Sequence, residues 1–426
     1  MRRRLMAAIA IAAMALWQST LVVRATDSPT MLSLGQAIER ARTAGFDVRM
    51  SQADAREQAA RAVEARAGLL PSIGISGTTM NGGISQLGMP VAQQTYLLAS
   101  ASVPLVLPSN IAKTRAASLD AGAAGYQSAA ASNDQALTAA QQYERALLAD
   151  AIVAARTATV EYQRRNVRDA GERYRLGKAP RYQLAQAEAT LAAAMQSAED
   201  AAADRDEALT NLKALLDFEL DVPIALTDSL APIALPNTLA DYRKRALVQR
   251  PEVLAAARRL DSAKAQLDGA RAGYLPNVSG SVQTYNGHSN PSLGSSGYQI
   301  GVTASLPVFD GGERPAAVHV AHAEMDKAQA GLEQAQLYAR RDVENAWREF
   351  QAAQRDLEAA RVQKITAAEA LRVARLRVLA GKGIALEALS ALADDTVARE
   401  NELRAVARLN DAVFGVHHAA GDEQLF

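Results

Sequence analysis

The side chains able to do chemistry are few and scattered. His319 and His322 lie three residues apart and His417 adjoins His418, yet there is no Cys in 426 residues and no His-Glu-x-x-His pattern. Neither pair has the company a zinc site needs, so both read as exposed helix polarity. Asp310-Gly311-Gly312 has the glycines of a phosphate loop without its spacing, and reads as a turn from strand to helix. No Ser, His and Asp fall in a usable order, and no carboxylate pair suggests acid-base work. The expectation is a protein that is not an enzyme and that holds no cofactor or metal. The absent Cys also excludes a disulfide scaffold, a thiol nucleophile and a lipidated Cys anchor.

Composition points the same way. The chain is 49% hydrophobic but only 4% aromatic, so its apolar share is largely small and aliphatic, which suits long close-packed helices better than one large core. Lys and Arg total 46 against 46 Asp and Glu. No basic stripe with interleaved aromatics breaks that balance, so nucleic acid is not an expected partner.

The N-terminus has a basic start at Arg2, Arg3 and Arg4, an apolar run from Leu5 to Trp17, and small residues at Val23-Arg24-Ala25. This is the pattern of a signal peptide over 1–25, cut after Ala25. The run is shorter than the ~20 residues a spanning helix requires. No later segment reads as a transmembrane helix.

The most informative feature is an internal duplication. Ala65-Arg66-Ala67-Gly68-Leu69-Leu70-Pro71 recurs 205 residues later as Ala270-Arg271-Ala272-Gly273-Tyr274-Leu275-Pro276, and the same offset aligns Leu34 with Leu239, Arg40 with Arg245 and Val48 with Val253. The sequence divides into a first repeat over 26–217, a Pro-punctuated linker over 218–236, a second repeat over 237–416, and a C-terminal tail over 417–426. Each repeat carries two strands, about 72–80 and 95–107 in the first and 277–285 and 297–309 in the second. Two long helices follow, about 110–176 and 181–216, then 313–379 and 385–415. Gly177-Lys178 and Gly381-Lys382 break the helices at equivalent places and should turn the chain.

Periodicity assigns these elements. Met325, Ala328, Leu332, Ala335, Ala339, Val343, Ala346, Phe350, Ala353, Leu357 and Ala360 recur on a mean spacing of 3.5, the seam of a coiled coil. The Pro-free body of that helix, at 1.5 Å per residue, reaches about 100 Å. The strand segments alternate with period 2. Leu97, Ala99, Ala101, Val103, Leu105 and Leu107 share a face, and Tyr298, Ile300, Val302, Ala304, Leu306 and Val308 oppose Gln299, Gly301, Thr303 and Ser305. One apolar and one small polar face is the pattern of an outer-membrane β-barrel, with Asn81 to Gln94 and Asn286 to Ser296 as turns or exposed loops. Four strands cannot close a barrel in lipid, whose smallest members have about eight. Strands must be pooled: two chains would give eight strands around an interior filled by side chains, three would give twelve with room for a lumen, and a conduit favours three. A soluble hairpin on a periplasmic adaptor or structural coiled coil is the alternative reading.

The duplicated Ala-Arg-Ala-Gly-x-Leu-Pro, the segment Pro307-Val308-Phe309-Asp310-Gly311-Gly312-Glu313-Arg314 and the motif around Arg377 and Gly381 together resemble the TolC-like outer membrane efflux protein family over nearly the whole chain. The resemblance implies a mixed α and β membrane protein. Its duplicated unit of β-hairpin plus long α-helical hairpin would trimerise into a 12-stranded outer-membrane β-barrel and a periplasmic coiled-coil α-barrel. It further implies a passive homotrimeric channel, docked to a periplasmic adaptor and an inner-membrane pump of a tripartite efflux or type I secretion system. In the family, acidic residues after the second Gly turn ring the aperture. Glu387 matches the first acid and Ser390 replaces the second, and the first-repeat counterparts are Gln183 and Gln186. Lys178, Arg181 and Lys382 are then candidates for pairing with tip carboxylates or contacting an adaptor.

Overall fold

The computed structural model describes residues 29–80, 94–288 and 296–422. The expected signal peptide, both expected loops in their central parts, and the last four residues lie outside them.

Each repeat opens on the same local chemistry. A short strand, β1 (Thr30–Leu32) in the first and β4 (Ile224–Leu226) in the second, pairs in parallel with its counterpart. The helices α1 (Leu34–Ala44) and α5 (Leu239–Gln249) then begin on matching capping boxes. Ser33 exchanges backbone and side-chain hydrogen bonds with Gln36, and Thr238 does so with Asp241, which satisfies amides that a helix start leaves bare. Helices α2 (Phe46–Ala67) and α6 (Pro251–Ala272) carry the chain up to the repeated Leu-Pro, which ends them.

Four strands follow: β2 (Ser72–Met80), β3 (Gln94–Val106), β5 (Asn277–His288) and β6 (Ser296–Ser305). They form one antiparallel sheet in the order β2-β3-β5-β6, so the two repeats join edge to edge through β3 and β5. The long helices α3 (Pro108–Arg175) and α7 (Glu313–Leu379) descend from the sheet, and α4 (Arg181–Leu215) and α8 (Ala385–Ala420) return. At 68 and 67 residues, α3 and α7 each span about 100 Å. Near the sheet the packing order is α2, α3, α6, α7, and beyond it α4, α3, α8, α7. The helical layer therefore repeats the order of the strands.

The 3.5-residue seam lies where the spacing places it. Ala339, Val343, Ala353, Leu357 and Ala360 are buried, packed with residues of α8 such as Ala405, Leu409 and Val416. Alanine dominates because small side chains let long helices approach closely enough to interdigitate. The larger side chains concentrate where the linker crosses, around Tyr143, Leu212 and Leu216 in one cluster and Tyr242 in another.

The linker is fastened by a buried polar knot. Asn410 on α8 accepts from the Ile233 amide at 2.8 Å and donates to the Ala231 carbonyl at 2.8 Å and to Glu144 Oε1 of α3 at 3.1 Å. Burial pushes the Glu144 carboxyl up to about 7 against the lowering effect of that last hydrogen bond, and burial likewise pushes Asp411 up to about 6.

Several expected boundaries move. The last strand stops at Ser305 and not at 309, because Ser305 pairs with Asn277, the first residue of β5, and nothing continues the ladder beyond it. The apolar alternation of Leu306 and Val308 is thus exposed chain and not strand. On the other side β5 extends to His288. Strand β3 ends at Val106, since Pro108 starts α3 with Leu107 as its cap. The expected tail over 417–426 begins as helix: α8 continues to Ala420, putting His417 and His418 in its last turn, and stops at Gly421 with φ +75°.

Candidate functional site

Two regions could serve a conduit: the sheet and the far tip of the helices. In the sheet, register fixes the faces. Ser72, Gly74, Ser76, Ser100, Ser102 and Ser281 fall on one side with Gln283, Gln299, Gly301 and Thr303. Ile73, Ile75, Ile300 and Val302 fall on the other. Ile73 is 82% exposed, Ile300 69% and Val302 70%. So large an apolar face left bare needs a cover. Among the described residues, strands β2 and β6 pair on one side only, leaving both margins of the sheet with unpaired backbone groups. No described helix is long and apolar enough to cross a membrane.

The tip is built by two matching turns. Gly177 and Gly381 adopt φ +69° and +70°, a conformation that suits Gly because it lacks a Cβ. At the first, the Lys178 amide donates to the Arg173 carbonyl and that of Gly177 to Tyr174. At the second, Lys382 donates to Arg377 and Gly381 to Val378. Both are Schellman closures, so each hairpin reverses with its last carbonyls satisfied.

Around these turns the expected residues separate into groups. Gln183 and Gln186 do meet the second repeat: with Tyr162, Asp169, Arg375 and Leu389 they line a cleft of about 250 Å3 between the two hairpins. Glu387 lies 3.7 Å from Arg377 Nη1 across its own turn, so its charge is partly balanced within the hairpin. Ser390 is exposed one turn further on. Lys178, Arg181 and Lys382 are exposed and form no ion pair among the described residues. Asp310 accepts from the Gly312 and Arg314 amides and from Arg314 Nε, with Gly311 and Gly312 at φ +67° and +98°, in a turn directly before the long helix α7. His322 lies against Asp326 on the surface and His418 reaches Asp134, whereas His417, expected as exposed helix polarity, is buried against Asp422.

Two ties between the repeats escaped the sequence reading. The Arg375 guanidinium sits 4.4 Å over the Tyr162 ring at the cleft. Higher up, Arg156 of α3 bonds Glu400 of α8 and the Ser197 carbonyl of α4. Burial opposes ionisation of Glu400, but hydrogen bonds from Arg156 and Arg404 outweigh it and hold the carboxyl below the usual range. No local motif announces either tie.

Residues 37–217 and 242–422 match the family model described as outer membrane efflux protein, one match on each repeat. The chain belongs to the outer membrane efflux protein family. Protein CyaE of Bordetella pertussis is 30% identical over 268 residues, 62% of this chain and 56% of CyaE. Outer membrane protein OprJ of Pseudomonas aeruginosa is 32% identical over 150 residues, 34% of this chain and 30% of OprJ. The aligned stretches thus span little more than half of one relative and under a third of the other. The outer membrane protein VceC of Vibrio cholerae superposes with a TM-score of 0.77 over 91% of this chain and 96% of its own, at 20% identity, which establishes a shared fold. This efflux-protein fold accounts for the paired hairpins that a periplasmic adaptor or plain coiled coil leaves without purpose, and the family is one of channels, not enzymes.

Proposed function

We propose that this efflux-family chain is a passive channel across the outer membrane, assembled as a homotrimer whose pooled strands close a twelve-stranded barrel and whose helices enclose a periplasmic tunnel. The observation that carries the reading is the four-stranded sheet with an exposed apolar face and both margins open. In lipid such margins must be paired, and a ring of identical chains joins the β6 margin of one to the β2 margin of the next. The apolar face then meets lipid and the Ser, Thr and Gln face lines the passage.

Export by a signal peptide removed after Ala25 delivers the chain. Energy comes from an inner-membrane pump reached through a periplasmic adaptor, which meets the exposed Lys178, Arg181 and Lys382 at the tip. Glu387 faces the aperture as one carboxylate per protomer, where like charges converging on an axis attract cations. The similarity to OprJ and VceC, both named as outer membrane proteins, supports the location.

Fractionation of native membranes, mass determination of the detergent-extracted protein and N-terminal sequencing test the reading together. A trimer in the outer membrane starting at Thr26 is expected. A soluble monomer, or an inner-membrane product retaining its first 25 residues, would overturn it.

A further inference from the structure

None of the residues in β2, β3, β5 and β6 is Asp, Glu, Lys or Arg. The passage proposed above is therefore lined, at the level of the sheet, by neutral groups only. Within that lining the polar side chains are unevenly distributed. One cross-strand row reads Gly74, Ser100, Gln283, Gln299, because Gly74 pairs with Ser100, Ser100 with Gln283, and Gln283 with Gln299. The row nearer the helices reads Ser72, Ser102, Ser281, Gly301. Two carboxamides thus stand directly opposite each other on adjacent strands, where Cβ atoms are about 5 Å apart, with Gly74 and Ser100 beside them in the row, while the row on the side away from the helices reads Ser76, Leu98, Tyr285, Gly297. Both glutamines are exposed in the single chain. Gln283 lies six residues into β5 from Asn277; at about 3.3 Å per residue and a tilt near 40° that is about 15 Å from the helical end of the sheet, midway through an apolar band about 25 Å tall.

We infer that Gln283 and Gln299 form a girdle of carboxamides at mid-membrane, a pair from each protomer, which hydrogen-bonds passing solutes without selecting the sign of their charge. The inference rests on the barrel reading and goes beyond it. An amide offers both donors and an acceptor but no net charge, so cations and anions meet the same row on equal terms, and any charge selection by the channel belongs to the helical tip. The ligand class is any polar cargo able to exchange hydrogen bonds with water for hydrogen bonds with an amide.

The absence of Cys makes the test direct, since each substitution supplies the only thiol of its chain. Gln283→Cys and Ile300→Cys would be made in the full-length protein, embedded in membrane, and their reaction measured with methanethiosulfonates bearing either a trimethylammonium or a sulfonate group. Gln283→Cys should react with both at similar rates, while Ile300→Cys, on the opposite face, stays unreactive. Adding Gln299→Glu should make the cationic reagent react about tenfold faster than the anionic one, as a carboxylate placed one cross-strand pair away in a narrow aqueous space would. An unreactive Gln283→Cys, or one whose preference Gln299→Glu leaves unchanged, overturns the girdle and leaves the barrel standing. Equal reactivity at Gln283→Cys and Ile300→Cys means water on both faces and sinks the barrel reading itself. If Gln283→Cys does not assemble, Gln299→Cys with Gln283→Glu poses the same question from the other strand.

Discussion

Arg156 Nε, on the long helix of the first repeat, lies 3.0 Å from Glu400 Oε1 on the returning helix of the second. The same guanidinium donates through Nη1 to the Ser197 carbonyl of α4, so one side chain ties three helices and both repeats. Arg156→Ala should destabilise the extracted protein by about 2 to 3 kcal/mol, since it leaves Glu400 buried with only Arg404 for company. Glu400→Gln should cost less because the amide oxygen still accepts. Thermal unfolding of the two variants, compared at equal trimer recovery, checks the order.

The buried knot on the linker makes stability depend on pH. The folded Glu144 value, about 7, lies above the ordinary 4.5, so the folded chain holds a proton that the unfolded chain releases. That contribution is fully present below about pH 4.5 and is lost as pH rises through about 7, and Asp411 adds a smaller effect of the same sign ending near its value of about 6. Stability, and with it the unfolding midpoint, should therefore fall between about pH 5 and pH 8, by an amount on the order of 4 kcal/mol. Glu144→Gln, which keeps the acceptor for Asn410, should flatten most of that slope. An unchanged slope would assign it elsewhere.

At the tip, Glu387→Ala should weaken block of the reconstituted channel by divalent cations. Arg377→Ala should strengthen it, because the counter-charge 3.7 Å away is gone. Conductance recorded over a cation titration distinguishes these; block that is identical in both variants would remove Glu387 from the aperture.

Two left-handed glycines should differ in what they tolerate. A Cβ at Gly381 meets open space, so Gly381→Ala pays only the left-handed strain, about 1 kcal/mol. A Cβ at Gly421 would come within 2.6 Å of Arg250 Cα, backbone that cannot swing aside. Gly421→Ala should cost about 3 kcal/mol or more and loosen the end of α8. Amide exchange at Val416 and Ala420 reads the second effect directly.

What could be read in advance was whatever repeats along a single element. The spacing of Ala339, Val343, Ala353 and Leu357 is a property of one helix, and the alternation of Ile300 and Val302 of one strand, so both were visible in the string. Where an element stops depends on its partner. Leu306 and Val308 keep the rhythm of a strand, but β5 begins at Asn277 and offers them nothing to pair with. The helix through His417 ends where Gly421 meets Arg250, a contact between residues far apart in sequence. The tip residues show the same division. Gly177 and Gly381 announce their turns, whereas the meeting of Tyr162 with Arg375 depends on how far α3 is staggered against α7. No pattern within either helix encodes that stagger.

The sheet order has a consequence for how such a ring can diversify. Within a chain, β3 meets β5 across the junction between repeats; between chains, β6 would meet the neighbour's β2 across an equivalent junction. The assembled ring is then built from pseudo-equivalent units, each a single repeat, with covalent linkage at every second seam only. Duplication frees alternate units to differ, and they do: Gln183 and Gln186 stand where the other repeat has Glu387 and Ser390. An aperture made this way, with Glu387 in the proposed place, would carry one carboxylate per chain, where a ring of unduplicated units would have to repeat every charge at every position.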